Sequence, residues 1–156
     1  MIRIEECYKG CGGDNICPDH LKELDLKVSD YYYVGGHYSA STEENIMQDL
    51  VANGPLTLSF EPHVTFSLYR SGVYTVDEDL TKKIVNPEWY KVDHSMTLVG
   101  FGEENVNGKM VKYWLLLNSW GENWGENGFF RIVRGENDCN IETMGDFARI
   151  GIKDRL

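Results

Sequence analysis

Asp93-His94-Ser95-Met96-Thr97-Leu98-Val99-Gly100-Phe101-Gly102 sets a histidine at the head of an apolar run, and Asn118-Ser119-Trp120-Gly121 sets an asparagine at the foot of another. An imidazole serves as general base when one ring nitrogen faces a nucleophile and a second group holds the other. An asparagine carbonyl can supply that hold without adding negative charge. The two residues lie 24 positions apart, at the ends of predicted strands over 95–101 and 111–117. Adjacent antiparallel strands bring such ends together. Alone, a histidine at a strand edge is usually a core residue, and an asparagine there is usually a turn residue. The pair points instead to the base and orienter of a cysteine-nucleophile site. Trp120 and Trp124 follow closely; a packing role is the ordinary one, but an indole beside a His–Asn hydrogen bond also excludes competing water.

Outward from this stretch, further strand candidates cover 128–134 and 147–152, and Glu103 to Lys109 reads as a polar connection containing Gly108. No helical pattern separates these strands, so the sheet is expected to be antiparallel. Ser41-Thr42-Glu43-Glu44 matches a capping box with Ser41 as N-cap and Glu44 reaching back. The helix that follows, near 42–52, shows Ile46, Met47, Leu50 and Val51 on one face and stops at Asn53-Gly54-Pro55. Leu56, Leu58 and Phe60 then alternate with Thr57 and Ser59 as a half-buried strand, and Tyr31 to Val34 reads as a short strand ended by Gly35-Gly36. Residues 61–92 read as irregular, with a solvated acidic tip at Asp77-Glu78-Asp79. The expected fold is α+β: mainly an antiparallel β-rich lobe over 31–156, with one clear helix, preceded by a Cys-rich loop segment over 1–30.

Composition narrows the function. The chain has 156 residues, 42% hydrophobic, enough for one domain with a real core. A net charge of −10 disfavours nucleic acid and anionic membrane surfaces, since both need clustered Lys and Arg. Such an acidic chain approaches neutrality in an acidic compartment. No apolar run approaches the ~18 residues of a membrane span. Met1 to Glu6 has no apolar core, so no signal peptide is expected there; a cytosolic chain and an excised piece of a longer precursor both remain open. Cys7, Cys11 and Cys17 crowd one end and Cys139 stands near the other. With His20 the first three could form a zinc cluster, but the spacing is not a common zinc pattern, and a disulfide-bearing loop is the better reading. Three clustered cysteines leave one to pair with Cys139 or with a cysteine outside the chain. No metal or organic cofactor is expected.

Asp-His-Ser-Met-Thr-Leu-Val-Gly-Phe-Gly at 93–102 and Asn-Ser-Trp-Gly-Glu-Asn-Trp-Gly from 118 resemble the His and Asn motifs of papain-like cysteine peptidases. Tyr33-Val34-Gly35-Gly36-His37-Tyr38 and Arg134-Gly135-Glu136-Asn137-Asp138-Cys139-Asn140-Ile141-Glu142 are similar to segments of the cathepsin C (dipeptidyl peptidase I) branch. Asp93 departs from the Asn often found before the His in that branch. The family's nucleophile motif, Cys-Gly-Ser/Ala-Cys-Trp/Tyr, lies ~130 or more residues before the His, which falls ahead of residue 1. No such motif occurs here, so 1–156 is expected to be the C-terminal portion of the peptidase domain, inactive by itself. The resemblance implies that His94 is the base, Asn118 its orienter, Trp120 a cover for their contact and Trp124 a lining of the leaving-group side. It further implies that Met144 walls a substrate pocket and that Tyr33 helps hold a chloride beneath it. Implied partners are peptide substrates, the N-terminal part of the catalytic domain and an exclusion domain, in a parent that is a possible tetramer. The implied location is a lysosome or equivalent acidic vacuole, or outside the cell. A papain-like binding or scaffold module without activity is the competing expectation.

Overall fold

Period-two alternation of apolar and polar residues builds most of this protein. The computed structural model describes residues 26–76 and 92–152. The chain divides into two units, Tyr31–Phe147 and a smaller one made of Met1–Asp30 with Ala148–Leu156. In the smaller unit the Ser29 hydroxyl donates to the Arg149 carbonyl at 3.2 Å.

Seven strands occur among the described residues: β1 (Leu26–Tyr33), β2 (Leu56–Phe60), β3 (Val73–Tyr74), β4 (His94–Val106), β5 (Lys109–Leu117), β6 (Phe129–Val133) and β7 (Met144–Ile152). They form one sheet in the order β1-β7-β2-β4-β5-β6-β3. One α-helix, α1, runs Glu43–Asn53. The α+β expectation holds, with the strands dominant and the helix where it was placed.

Side-chain alternation decides the core. Leu56, Leu58 and Phe60 of β2, Met96 and Leu98 of β4, and Trp114 and Leu116 of β5 all point inward and are buried. Cα pairing sets Leu58 opposite Met96 and Phe60 opposite His94. Each such side chain contributes about 1.5–3 kcal/mol by leaving water. β4 and β5 are joined by Asn107-Gly108, both at positive φ (53° and 87°), the two-residue turn that matches strand twist.

Five expectations are corrected. The helix N-cap is Thr42, not Ser41: Asn45 N–H donates to Thr42 Oγ1 at 3.3 Å, and Thr42 N–H to Asn45 Oδ1 at 2.6 Å. Ser41 is committed elsewhere, its hydroxyl donating to the Thr143 carbonyl (3.2 Å) and accepting from Gly145 N–H (3.0 Å). Val51 is 77% exposed, because the core takes only the narrow Ile46–Leu50 stripe of α1. The sheet is not wholly antiparallel: the two-residue β3, which precedes β4 and β5 in the chain, pairs parallel with β6 at the edge of the sheet. Regular structure also begins earlier than expected, with β1 starting at Leu26 and β7 at Met144. Residues 61–76, expected to be irregular, hold a 3-10 turn at Val64–Leu68 and β3. The acidic tip at Asp77-Glu78-Asp79 and the cysteines Cys7, Cys11 and Cys17, with His20, lie outside the described residues.

Candidate active site

The β4–β5 register brings the two motif residues together. Thr97 lies opposite Leu117 and Leu98 opposite Leu116, so the start of β4 and the end of β5 share one end of the sheet. There His94 Nε2 donates to Asn118 Oδ1 at 3.1 Å. The same oxygen accepts from Ser119 N–H at 2.8 Å, which settles which end of the Asn118 amide faces the ring. Nε2 therefore carries the proton, and Nδ1 keeps a lone pair with no partner among the described residues. Asn118 is 6% exposed, and its Nδ2 is buried without an acceptor there, as is Trp124 Nε1.

Aromatic rings hold the imidazole in place. The His94 ring lies 5.3 Å from Trp120, 5.6 Å from Phe66 and 5.7 Å from Phe60, centroid to centroid. Trp120 flanks the imidazole but remains 47% exposed, so its cover is partial. Trp124 is buried against Trp120 and Phe66. Sequence reasoning missed Phe66, the hub of this cluster, which is 1% exposed and also meets Phe60 and Phe130. It sits on the 3-10 turn, where no alternation marks it. Phe60 was legible only as a core strand residue.

The loop that carries both tryptophans is braced from outside. Arg131 donates through Nε (2.8 Å) and Nη2 (2.6 Å) to Glu126, and also pairs with Glu104. Glu126 in turn accepts from Gly72 N–H at 2.8 Å. Gly125 is required: its φ is +59°, and an added Cβ would stand 2.6 Å from the Phe129 carbonyl and 3.2 Å from the Tyr69 ring. Hydrogen bonding from Arg131, the largest cause, holds the Glu126 carboxyl below its ordinary value of 4.5. The folded value lies below the unfolded one, so the pair stabilises above that ordinary value and loses its effect as pH falls through the lower, folded one. Acidifying the full-length protein below pH 4.5 should thus lower its melting temperature, and Glu126→Gln should flatten that slope. An unchanged slope in the variant would count against the brace.

The other motif residues separate into distinct places. Met144 is half-buried on β7, opposite Ser59 of β2, which faces Ser95 on its other side. Tyr33 is 41% exposed at the end of β1, edge-on to Tyr38 at 6.2 Å. Cys139 is a free thiol among the described residues, pushed up to about 12 by burial and then by Asp138. A thiol held in that state cannot supply the thiolate that nucleophilic attack needs. Among the described residues no group of His, Cys, Asp or Glu is arranged to hold a metal ion, and no helix is long and apolar enough to cross a membrane.

A histidine held by an asparagine at the open end of a β lobe, with tryptophans closing over it, matches the motifs already noted. The sequence profile described as "Papain family cysteine protease" covers residues 2–148. The chain belongs to the papain family of cysteine proteases. Among its papain-family relatives is a cathepsin C of Schistosoma mansoni, 39% identical over 121 residues that make up 76% of this chain and 26% of that protein. Another relative is a tubulointerstitial nephritis antigen-like protein of Rattus norvegicus, 42% identical over 132 residues, 81% of this chain and 28% of that protein. The chain thus spans about a quarter of the length of the curated relatives it matches. Among solved structures, digestive procathepsin L 3 of the Tenebrio molitor larval midgut aligns at a TM-score of 0.61 and 28% identity, over 78% of this chain and 35% of that one.

Proposed function

We propose that this chain is the His–Asn half of a cathepsin C-like cysteine dipeptidyl peptidase that removes dipeptides from free N-termini. The observation that supports it is the His94 Nε2–Asn118 Oδ1 hydrogen bond, with the ring's other nitrogen left to accept. In this mechanism a cysteine thiol on a preceding segment gives its proton to His94 Nδ1, forming a thiolate–imidazolium pair. The thiolate attacks the scissile carbonyl, and the imidazolium then returns the proton to the leaving amine. Asn118 holds the ring in the productive tautomer through both steps. Trp120 limits the water that competes for that bond, and Trp124 lines the leaving-group side. The buried donors Asn118 Nδ2 and Trp124 Nε1 fit a site completed by groups from another segment.

By the same proposal the partner pieces are the N-terminal part of the catalytic domain and an exclusion domain that blocks the cleft. The parent assembles as a tetramer and works in a lysosome-like vacuole or after secretion. Met144 walls the substrate pocket. The isolated chain has no peptidase activity.

The upstream coding sequence is the first test, and it should contain Cys-Gly-Ser/Ala-Cys-Trp/Tyr. The full-length protein should then release a fluorophore from a dipeptide substrate, and a thiol alkylator should abolish that release. Asn118→Ala should lower kcat with little change in KM. A hydrogen bond to a charged group is worth about 1.5–3 kcal/mol, which sets the loss at about 10–100-fold. A variant with wild-type kcat would remove Asn118 from the mechanism. Similarity to an antigen-like protein favours a second reading, a papain-like module without peptidase activity. Absence of the upstream motif, or of any alkylator-sensitive turnover, would establish that reading instead.

A further inference from the structure

β4 runs on past the strand that covers its first half. β2 pairs with it only from Phe60 opposite His94 to Leu56 opposite Leu98. The ladder stops there because Pro55 has no N–H to donate, and Gly54, at φ 95°, leads back into α1. Gly100 to Val106 continues as strand, paired with β5 on one side. On the other side no strand pairs with it among the described residues. Hairpin geometry says which groups this bare edge presents. Val106 and Lys109 flank a two-residue turn and so exchange both their hydrogen bonds; bonded and non-bonded pairs then alternate along the ribbon. Glu103 and Lys112 are a non-bonded pair, and the Lys112 carbonyl accordingly points away from β4, accepting from Arg134 N–H at 3.0 Å. By the same alternation the N–H and C=O groups of Phe101, Glu103 and Asn105 point away from β5, into the open side. Such a row is a template for a further strand.

A groove of about 690 Å³ lies between this stretch of β4 and the first turns of α1, with Phe101 and Met47 as its apolar lining. Phe101 is 36% exposed and stands edge-on to the buried Trp114. The rim is acidic. Glu43, Glu44 and Glu103 face two cations, Lys112 and Arg134. Both cations converge on Glu43 Oε1, at 3.2 and 2.5 Å. Glu103, half-exposed, reaches Arg134 only at 3.7 Å, and Glu44 accepts from the neutral amide of Gln48. Glu44 and Glu103 therefore leave negative charge beside unpaired main-chain groups and an open aromatic ring.

We propose that the bare edge of β4 docks an extended basic segment of another polypeptide, which adds to the sheet as an antiparallel strand. Main-chain hydrogen bonds to Phe101 and Glu103 supply the pairing, and alternate side chains supply the selectivity. An antiparallel segment sets one residue opposite Glu103 and, two residues later, another opposite Phe101 on the same face. The first is a Lys or Arg that meets the Glu103 and Glu44 carboxylates, and the second is an apolar side chain that meets Phe101 and Met47. A second copy of this chain is a poorer occupant. The chain carries a charge of −10, and β4 paired with β4 about Glu103 sets like charges opposite each other. Glu103 stands nine positions from His94, about 30 Å along the strand, so docking leaves the catalytic end open. The inference goes beyond the peptidase reading and does not depend on turnover.

The test is calorimetric titration of the full-length protein at pH 7 and low salt with the capped peptide Thr-Thr-Lys-Thr-Val-Thr-Thr. Its counterpart with Glu in place of Lys is the control. The Lys peptide should bind about tenfold more tightly, since the swap turns two exposed attractions into repulsions. N-methylation of the Lys or Val amide, which would face β4, should cut affinity by about tenfold, the loss of one main-chain bond with its partner left unmet. N-methylation of the Thr between them should leave it within about threefold, because that amide faces away. In Glu103→Lys, with melting temperature as the fold control, the preference should reverse in favour of the Glu peptide; Glu44→Gln, as a milder second variant, should weaken the Lys peptide. No binding of either peptide, equal binding of both, indifference to N-methylation at Lys and Val, or an unchanged preference in both variants would overturn the proposal. Self-association in the ultracentrifuge that Glu103→Lys changes would assign the edge to a second copy and overturn it too.

Discussion

Replacing His94 with alanine in the full-length protein is expected to lower kcat by about 10²–10⁴-fold. The ring is the one group here positioned to take and return a proton, since Asn118 can only accept at Oδ1 and fix the tautomer. Neither neighbour named above substitutes: burial pushes the Cys139 thiol up to about 12, and Trp120 has no basic atom. Substrate binding should change little, because the loss falls on transition states in which the proton moves. His94→Gln, which keeps a polar group at Asn118, should be as inactive as His94→Ala. The measurement is kcat on a fluorogenic dipeptide, with melting temperature and far-UV circular dichroism as fold controls. Activity within tenfold of wild type in a folded variant would remove His94 from the chemistry.

Phe66→Ala should cost about 3–5 kcal/mol in stability, the range for emptying a fully buried aromatic site. Phe66 packs against Phe60, Phe130, Trp120, Trp124 and the imidazole, with ring centroids 4.9–5.6 Å away. Five rings anchored on β2, β4, β6 and the tryptophan loop cannot all close on one cavity, so the loss should sit at the upper end. Phe66→Leu, which keeps most of the volume, should cost less and should restore the denaturant midpoint before it restores kcat. The imidazole and Trp120 both rest against the flat ring, 5.6 and 5.0 Å away, and need its shape, not merely filled space. Urea unfolding of both variants checks the first point, and kcat against midpoint checks the second. Equal midpoints for wild type and Phe66→Ala would show that the cluster contributes no packing energy.

What could be read before the fold was seen follows from what carries a period. β2, β4 and β5 announce themselves because Leu56/Leu58/Phe60, Met96/Leu98 and Trp114/Leu116 alternate with polar neighbours. The His94–Asn118 contact was legible because a hairpin ties position to spacing. Phe66 was not, since a 3-10 turn of five residues has no repeat to betray its inward side. The choice between Ser41 and Thr42 as N-cap was open locally; both hydroxyls suit it. It is settled by Thr143 and Gly145, more than 100 positions away, which engage Ser41. β3 is two residues long, too short for any pattern, so its parallel pairing could not be foreseen.

The hairpin also fixes the order of assembly. β4 and β5 close over Asn107-Gly108, the least costly loop in this sheet, whereas β2 must find β7 across more than 80 residues. Local pairings of this kind form within microseconds, and distant ones later. The base and its orienter stand on either side of that first-formed ribbon. Their hydrogen bond is thus among the earliest tertiary contacts the nascent polypeptide can make, and amide exchange along β4 and β5 should be the slowest in the molecule.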